Sequence, residues 1–430
     1  MGALTERTVH YKFNPHLKDI SLQNCGLCGV GCLIQTETQA GTITRVTTSQ
    51  KEPGFNGKNL CFKGRFGWQS FYDKDRLTVP LKKEKGIFKE ISWQEATDLI
   101  AEKISLGNSQ RFEISPYISL EEMLLLKRAA DKYTTVLSAN PAFSAFSDSC
   151  ISLRPQKEPY RILDNFQEYV VYGELNQVLA TLIRLQQRKG KKLTLVNYPE
   201  NPFCRFADAN YANIKEVQTT EKTLFIYNQN RISEQEAYEL WCFASEKGKD
   251  NLLVSTDYHN HPGFLAMQPN FSLTVSDFVL GWGVYPFLSA EAKFSVAIMT
   301  FKDEKAPVDL LIPAPSYLEM EGTALSDLGQ VTKSANPAKS IIINELLRMF
   351  YCLKWIHPNS AEIPFWNGEA EKFLVSLQNY VPAKFEPNAI KSAELSKTIK
   401  GIPSQVEKYI ATLFEQRKIA IKFSGWLTSS

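Results

Sequence analysis

The chain has 430 residues, 43% hydrophobic and 22% charged, with 49 lysines and arginines against 46 aspartates and glutamates. At about 150 residues per domain this is two to three domains' worth of chain, and a net charge of +3 gives no field that points to nucleic acid or to an anionic membrane surface. No stretch supplies the ~18 uninterrupted apolar residues of a membrane span; the longest candidate, Ile341 to Ile356, is interrupted by Glu345, Arg348 and Lys354 and reads as a buried amphipathic helix. The N-terminus, MGALTERTVHYK, has no apolar core, twin arginine or small-residue cleavage site. A cytoplasmic chain is therefore expected, with any association at the inner face of a membrane made through partners and not by direct insertion.

In chain order the first chemical feature is a cysteine constellation. Four of the eight cysteines fall in the first 61 residues: Cys25, Cys28 and Cys32 in NCGLCGVGC, then, after 28 residues, Cys61 in GKNLCFKGRFGW. Clustered cysteines in a reducing compartment bind metal more readily than they form disulfides. Three thiolates from one tight loop and a fourth from a distant turn suit one [4Fe-4S] cluster. Structural zinc prefers two separated Cys-x2-4-Cys pairs, and a plant-type [2Fe-2S] site takes Cys-x4-Cys-x2-Cys; a vestigial, empty site is the remaining alternative. Gly26, Gly29 and Gly31 let the loop curl with its N–H groups towards the sulfurs. Ile43 to Thr48 reads as a strand and Glu52 to Asn59 as a turn cluster, which makes residues 1–80 a small β-rich lobe. Cys150, Cys204, Cys242 and Cys352 read as small buried hydrophobes.

Further along, short apolar runs alternate with helical spacing. Glu168 to Gly173, Lys191 to Asn197, Thr223 to Tyr227 and Leu252 to Ser255 read as strands, and Gln177 to Arg188 and Ser233 to Lys247 as helices. This alternation predicts a parallel, doubly wound sheet. No Gly-x-Gly-x-x-Gly follows a predicted strand and no Walker A loop is present, so nicotinamide, flavin or nucleoside triphosphate binding is not expected. His259 and His261 flank Asn260 in DYHNHPG, which reads as a solvated turn. Gly281 to Phe287 reads as an aromatic-rich loop. No paired carboxylates and no Ser/His/Asp set stand out, so no catalytic residue is assigned.

The stretches CGLCGVGC, NLCFKGRFGWQSFYDKDRLTVPL and, from Ile91, ISWQEATDLIAEKI carry a resemblance to the molybdopterin oxidoreductase family. The block is similar to formate dehydrogenase catalytic subunits and to the large iron–sulfur subunit of NADH-quinone oxidoreductase. Val308 to Lys339 resembles the family's later "EKEGT" segment, so the likeness covers roughly residues 20 to 345. It implies an α/β fold with Rossmann-like parallel-sheet sub-domains and an N-terminal [4Fe-4S] lobe, that is, formate dehydrogenase-like domains I–III with domain IV absent. It divides the chain into 1–80, a discontinuous α/β domain of 81–140 and 260–355, a Rossmann-like domain of 141–259, and a helical, basic tail of 356–430 that includes a helical pattern from Ser404 to Gln416.

Several positions depart from the family pattern. Gly173-Glu174-Leu175-Asn176 stands where Gly-x-Asn-Pro is usual. Asn197-Tyr198-Pro199-Glu200-Asn201 stands where Asp-Pro-Arg-x-Thr meets the pterin nucleotide, and Cys150 is followed by Ile151 where a metal-ligating cysteine is followed by histidine. The pterin is therefore expected to be absent, with the aromatic loop filling its cleft or meeting a partner. Lys63, in Cys-x-Lys-Gly-Arg, takes the place of the family lysine between cluster and pterin, which implies tuning or coupling of the cluster. The expected function is an electron-transfer and structural subunit of a larger cytoplasmic or membrane-peripheral oxidoreductase, NADH dehydrogenase-like, whose partners are other iron–sulfur or flavin subunits and not nucleic acid. The alternatives are a catalytic molybdenum or tungsten bis-pterin enzyme, such as formate dehydrogenase with its last domain on another subunit, and a scaffold in which the cluster only staples the lobe.

Overall fold

The structure, a computed structural model, describes residues 18–49, 54–140, 143, 159–245, 251–271, 274–319, 321–334, 340–356 and 372–373. Cys150 and the Ser404–Gln416 pattern lie outside them.

The N-terminal lobe is an antiparallel meander of β1 (Asp19–Asn24), β2 (Leu33–Gln39) and β3 (Thr42–Thr47). Ala40 and Gly41, both at positive φ, make the tight β2–β3 connection, the backbone pairing that two-residue hairpins favour. Asn24 pairs with Leu33 at the end of β1–β2, so residues 25–32 are the loop that closes this hairpin. Helix α1 (Phe62–Phe66) returns to the lobe after the turns at 55–58.

Next come β4 (Leu81–Glu84), β5 (Ile87–Glu90), α2 (Trp93–Leu106), β6 (Gln110–Ile114), α3 (Leu120–Lys132) and β7 (Ser138–Ala139). Ser119 and Glu122 form a reciprocal capping box at the start of α3, which satisfies two of the N–H groups a helix start leaves unpaired. The middle of the chain runs through β8 (Glu168–Tyr172), α4 (Gln177–Arg188), β9 (Lys192–Val196), β10 (Ala209–Tyr211), β11 (Thr223–Asn228), α5 (Glu234–Ser245) and β12 (Leu252–Ser255). Then follow α6 (His261–Ala266), β13 (Phe278–Trp282), β14 (Phe294–Met299), β15 (Leu310–Pro313), the hairpin β16 (Gly322–Leu325) and β17 (Val331–Ser334), and α7 (Ile341–Cys352).

These strands build two large sheets. The five-stranded sheet has the order β10-β9-β8-β11-β12 and is parallel throughout. The seven-stranded sheet has the order β5-β4-β15-β14-β13-β6-β7, parallel except where β4 joins β15 and β5. The predicted α/β class is observed, and the predicted strands and helices between 168 and 255 fall where the sequence placed them. Strands β11 to β14 are buried along their whole length, as parallel strands covered on both faces must be.

The cores show how the cysteine loop is held. Cys25, Leu27, Val30, Cys32 and Trp68 share one apolar cluster with Tyr169, Ile183 and Leu195 of the five-stranded sheet and its helix, and with Tyr317 and Leu318. The lobe thus has no separate core; it is sealed against that sheet. A second cluster joins α2, α3, α6 and α7 to the seven-stranded sheet, with Phe112, Phe278, Trp282, Phe350 and Trp355 in contact.

Three expectations need correction. His259 and His261 do not sit in a solvated turn: they are 2% and 1% exposed, because Asn260 ties the segment inward with bonds to Ile118 O and Leu325 N. The run from Gly281 is not a loop at its start, since Gly281 and Trp282 complete β13 and Trp282 packs on Phe350 of α7. Cys352 is exposed at the end of α7, and Cys204 and Cys242 are only partly buried. Ile341–Cys352 is the expected amphipathic helix, and no helix among the described residues is long and apolar enough to cross a membrane.

Candidate metal centre

Cys25 and Cys32 bracket the hairpin loop, with Cys25 N–H donating to Cys32 O at 2.9 Å. Cys28 sits between them, and Cys61 arrives as the N-cap of α1, its sulfur accepting from Gly64 N–H at 3.3 Å. Cys25 and Cys32 are buried, while Cys28 and Cys61 keep partial exposure. The four thiols feel one another. Burial first, then the charges of Cys61 and Cys28, push the Cys25 thiol far up. Burial and Cys61 push Cys28 up to about 12, against hydrogen bonds from Val30 and the Asn176 side chain. Burial, Cys25, Cys28 and Cys61 push Cys32 far up. Cys61 is raised by burial, with the Gly64 N–H and the Lys63 charge opposing. Four clustered thiols whose pKa values are all raised are a donor set that a cationic metal would convert to thiolates. Among the described residues no group of three or more His, Cys, Asp or Glu side chains is placed to hold a metal ion.

The glycines of the loop answer to packing from outside it. Gly29 N–H donates to Thr256 O and Gly29 O accepts from Asp327 N–H. A Cβ on Gly29 would lie 2.2 Å from Asp327 Oδ2. Gly31 takes φ +60 with Ser326 against it, a position where a side chain is both strained and crowded. Asp327 is itself buried and pushed up to about 8 by burial, although it accepts from Thr256 N–H at 2.6 Å and from the Thr256 hydroxyl at 3.2 Å. His259 Nε2 meets Asn24 Nδ2 at 2.8 Å, next to Cys25. Residues from three distant segments therefore fix the loop. Sequence reasoning missed Asn176, Thr256, His259, Tyr317 and Asp327, since only the fold brings them to it.

Beside Cys28 lie the carboxyl ends of β8, β11 and β12. Strand order reverses between β8 and β11, which is where open α/β sheets bind ligands. Here side chains close on one another. Asn228 Nδ2 donates to Asn176 Oδ1 and to Asp257 Oδ1, Asn176 Nδ2 donates to Asp257 Oδ1 and Thr256 O, and Ser255 Oγ donates to Asn176 Oδ1. Arg231 pairs with Glu174 at 2.9 Å and with Asp257 at 3.5 Å. Asn197, at φ +46, turns away and donates to Glu236 at 2.6 Å. As a donor set this edge does not fit a nucleotide phosphate, because the guanidinium is already paired with acids. Lys63 is half-buried on α1, close enough for its charge to reach Cys61.

The comparisons with known proteins bear on both regions. Residues 24–73 match the molybdopterin oxidoreductase Fe4S4 domain, and residues 76–150 match molybdopterin oxidoreductase. Over these residues the chain is similar to the molybdopterin oxidoreductase family. Relatives include a putative formate dehydrogenase, YrhE, of Bacillus subtilis (39% identical over 112 residues, 25% of this chain and 11% of that protein). The NADH-quinone oxidoreductase subunit 3 of Thermus thermophilus is 31% identical over 139 residues, 31% of this chain and 17% of that protein. The F420-dependent formate dehydrogenase subunit alpha of Methanocaldococcus jannaschii is 38% identical over 80 residues, 19% of this chain and 12% of that protein. The chain thus matches only a small fraction of each relative's length. A chain of the formyltransferase/hydrolase complex of Methylorubrum extorquens superposes with a TM-score of 0.41 at 9% identity, covering 64% of this chain and 99% of that one, a likeness too loose to argue from. The Fe4S4 match supports an iron–sulfur cluster, whereas the match over 76–150 lends no support to a lost pterin.

Proposed function

We propose that this chain is an iron–sulfur electron-transfer subunit of a larger oxidoreductase, with Cys25, Cys28, Cys32 and Cys61 holding one [4Fe-4S] cluster and Lys63 tuning it. The observation that carries the reading is the gathering of four thiols from the β1–β2 loop and the α1 cap at one apolar cluster. Such a cluster supplies a one-electron store when bound. The chain's own part is to bury two ligands against the five-stranded sheet and to leave Cys28 and Cys61 partly exposed, so that one edge faces a docked partner carrying further clusters or flavin. Pterin chemistry is assigned elsewhere in the complex, on the strength of the closed network around Asn176, Asn228 and Asp257.

A second reading, a catalytic molybdenum or tungsten enzyme with a pterin shared with another subunit, is favoured by the molybdopterin oxidoreductase match over 76–150 and by the formate dehydrogenases among the relatives. Metal analysis of the complex purified without oxygen separates the two. About four irons and four sulfides per chain, without molybdenum or tungsten, together with a low-temperature EPR signal on reduction, support the first. Stoichiometric molybdenum or tungsten overturns it in favour of the second.

A further inference from the structure

We propose that Tyr317 donates its hydroxyl hydrogen to the sulfur shell of the cluster and thereby raises the cluster's reduction potential. This rests on the assignment of the cluster to Cys25, Cys28, Cys32 and Cys61.

Tyr317 lies between β15 and β16, in the segment that runs from the seven-stranded sheet back to the lobe. Its ring is pressed onto the loop beside the first cysteine: a Cβ on Gly26 would lie 2.5 Å from Tyr317 Cβ and 2.8 Å from Cγ. The residue is 7% exposed and shares its apolar cluster with Cys25 and Cys32. Its hydroxyl is fully buried and has no hydrogen-bond partner among the described residues. A buried donor left unmade forfeits the hydration it had in water, and this fold pairs a comparable phenol: Tyr169 donates to Leu163 O. The Tyr317 hydroxyl bonds to no cysteine sulfur, and the acceptors we assign to it are the sulfurs that a bound cluster would bring beside Cys25. Burial, with the charges of Cys25 and Cys61 added, pushes the phenol far above its ordinary range.

The consequence for redox chemistry has a definite sign. Reduction adds one negative charge to the cluster. A donor aimed at its sulfurs stabilises the reduced form more than the oxidised form, and hydrogen bonds to sulfur are among the settings that fix such potentials. Tyr317 is thus a tuning residue and not a catalytic one. The hydroxyl needs to lose no proton for this role.

The test is an anoxic redox titration of the full chain reconstituted with ferrous iron and sulfide, followed by EPR of the reduced cluster. Tyr317→Phe keeps the ring on Gly26 and removes only the donor. It is expected to retain the wild-type iron and sulfide content and to become about tenfold harder to reduce, a midpoint lower by about 59 mV for one electron. A chain carrying 3-fluorotyrosine at position 317, a stronger donor of the same shape, is expected to move the midpoint up. Opposite shifts support the inference, whereas repacking alone would not reverse sign with donor strength. A loaded Tyr317→Phe chain with an unchanged midpoint overturns it, as do shifts in one direction for both chains. If Tyr317→Phe fails to take up iron, the fluorinated chain decides alone: an upward shift supports the role and none refutes it. A wild-type chain that takes up no cluster defeats the ligand assignment, and the inference falls with it.

Discussion

The cysteine loop and the strand ends beside it touch through Asn176 and Thr256 but are built in opposite ways. At residues 25–32 and at Cys61, four thiols are brought together, and the charges of Cys25, Cys28 and Cys61 each raise the pKa of another. At the ends of β8, β11 and β12, the acids and amides are matched within the protein: Asn228 with Asn176 and Asp257, Arg231 with Glu174 and Asp257. Thiols gathered at one place are donors that a cationic metal could draw off as thiolates. Internal pairing marks a place that holds itself together. On the proposed reading the chemistry of this chain lies in the lobe and the crevice supports it, since Asn176 and Thr256 also hold Cys28 and Gly29.

The largest expected effect tests the first half of that contrast. Cys32→Ala removes a buried cysteine that the proposal makes a ligand, and iron in the purified chain is expected to fall from about four per chain to none, because three sulfurs leave one iron open to solvent. Metal and sulfide analysis with visible absorption checks this. A variant that keeps four irons breaks the contrast. Asn228→Ala tests the second half. It leaves Asp257 Oδ1 and Asn176 Oδ1 each short of a donor and should destabilise the chain by about 3 kcal/mol, read from the urea midpoint, with iron content unchanged. Loss of iron together with stability would mean that the two regions are one site.

Much of this contrast is legible in the amino-acid sequence, and the reason differs by region. The proposed ligands sit mostly in a local pattern, three thiols in eight residues, which needs no fold to be read. Strands β8, β9, β11 and β12 and helix α4 announce themselves by apolar runs of strand length and by helical spacing, because each is covered by its immediate neighbours in the sheet. The buried state of His259 and His261 is illegible: Pro262 and Gly263 look like a turn from their neighbours, and burial comes from Asn260 reaching Ile118 and Leu325 across the fold. For the same reason Asp327 and Tyr317, about three hundred residues from the loop they press on, carry no sign of that contact in their own neighbourhood. The pairing of Arg231 with Glu174 cannot be foreseen from either residue.

Those histidines give a pH test of how firmly the segment joining the two sheets is seated. Burial holds both near a pKa of about 4, below the ordinary 6.5. Between these values the unfolded chain binds protons that the folded chain refuses, so stability rises with pH there. The contribution is complete above about pH 6.5 and is lost as pH falls towards 4, at about 1.4 kcal/mol per pH unit for each histidine. Glu113 and Glu122, pushed up to about 7 by burial, contribute with the opposite sign, because their folded forms keep protons the unfolded chain has released. The histidine part is therefore the difference between wild type and His261→Leu. Urea midpoints from pH 7 to pH 5 should fall less steeply in the variant. Equal slopes would show that His261 takes up its proton in the folded chain, and that the segment opens to water.

The smallest expected effect concerns Lys63, and it grades the lobe itself. Its charge lowers the Cys61 thiol, but behind burial and the Gly64 N–H in weight, and the side chain is only half-buried, where solvent screens an ion's reach. A positive charge beside the cluster favours the reduced form, as a hydrogen-bond donor does, so Lys63→Gln should make the cluster harder to reduce by about threefold, a smaller shift than the tenfold one-electron change of about 59 mV. Salt separates the two influences. The Lys63 contribution should shrink as ionic strength rises and the screening length falls from about 10 Å towards 3 Å, while the effect of the buried Tyr317 hydroxyl should stay constant. A Lys63 shift that exceeds that of Tyr317→Phe and ignores salt would mean that Lys63 acts at short range on the sulfurs, and the buried side of the loop would then lose its place as the side that sets the potential.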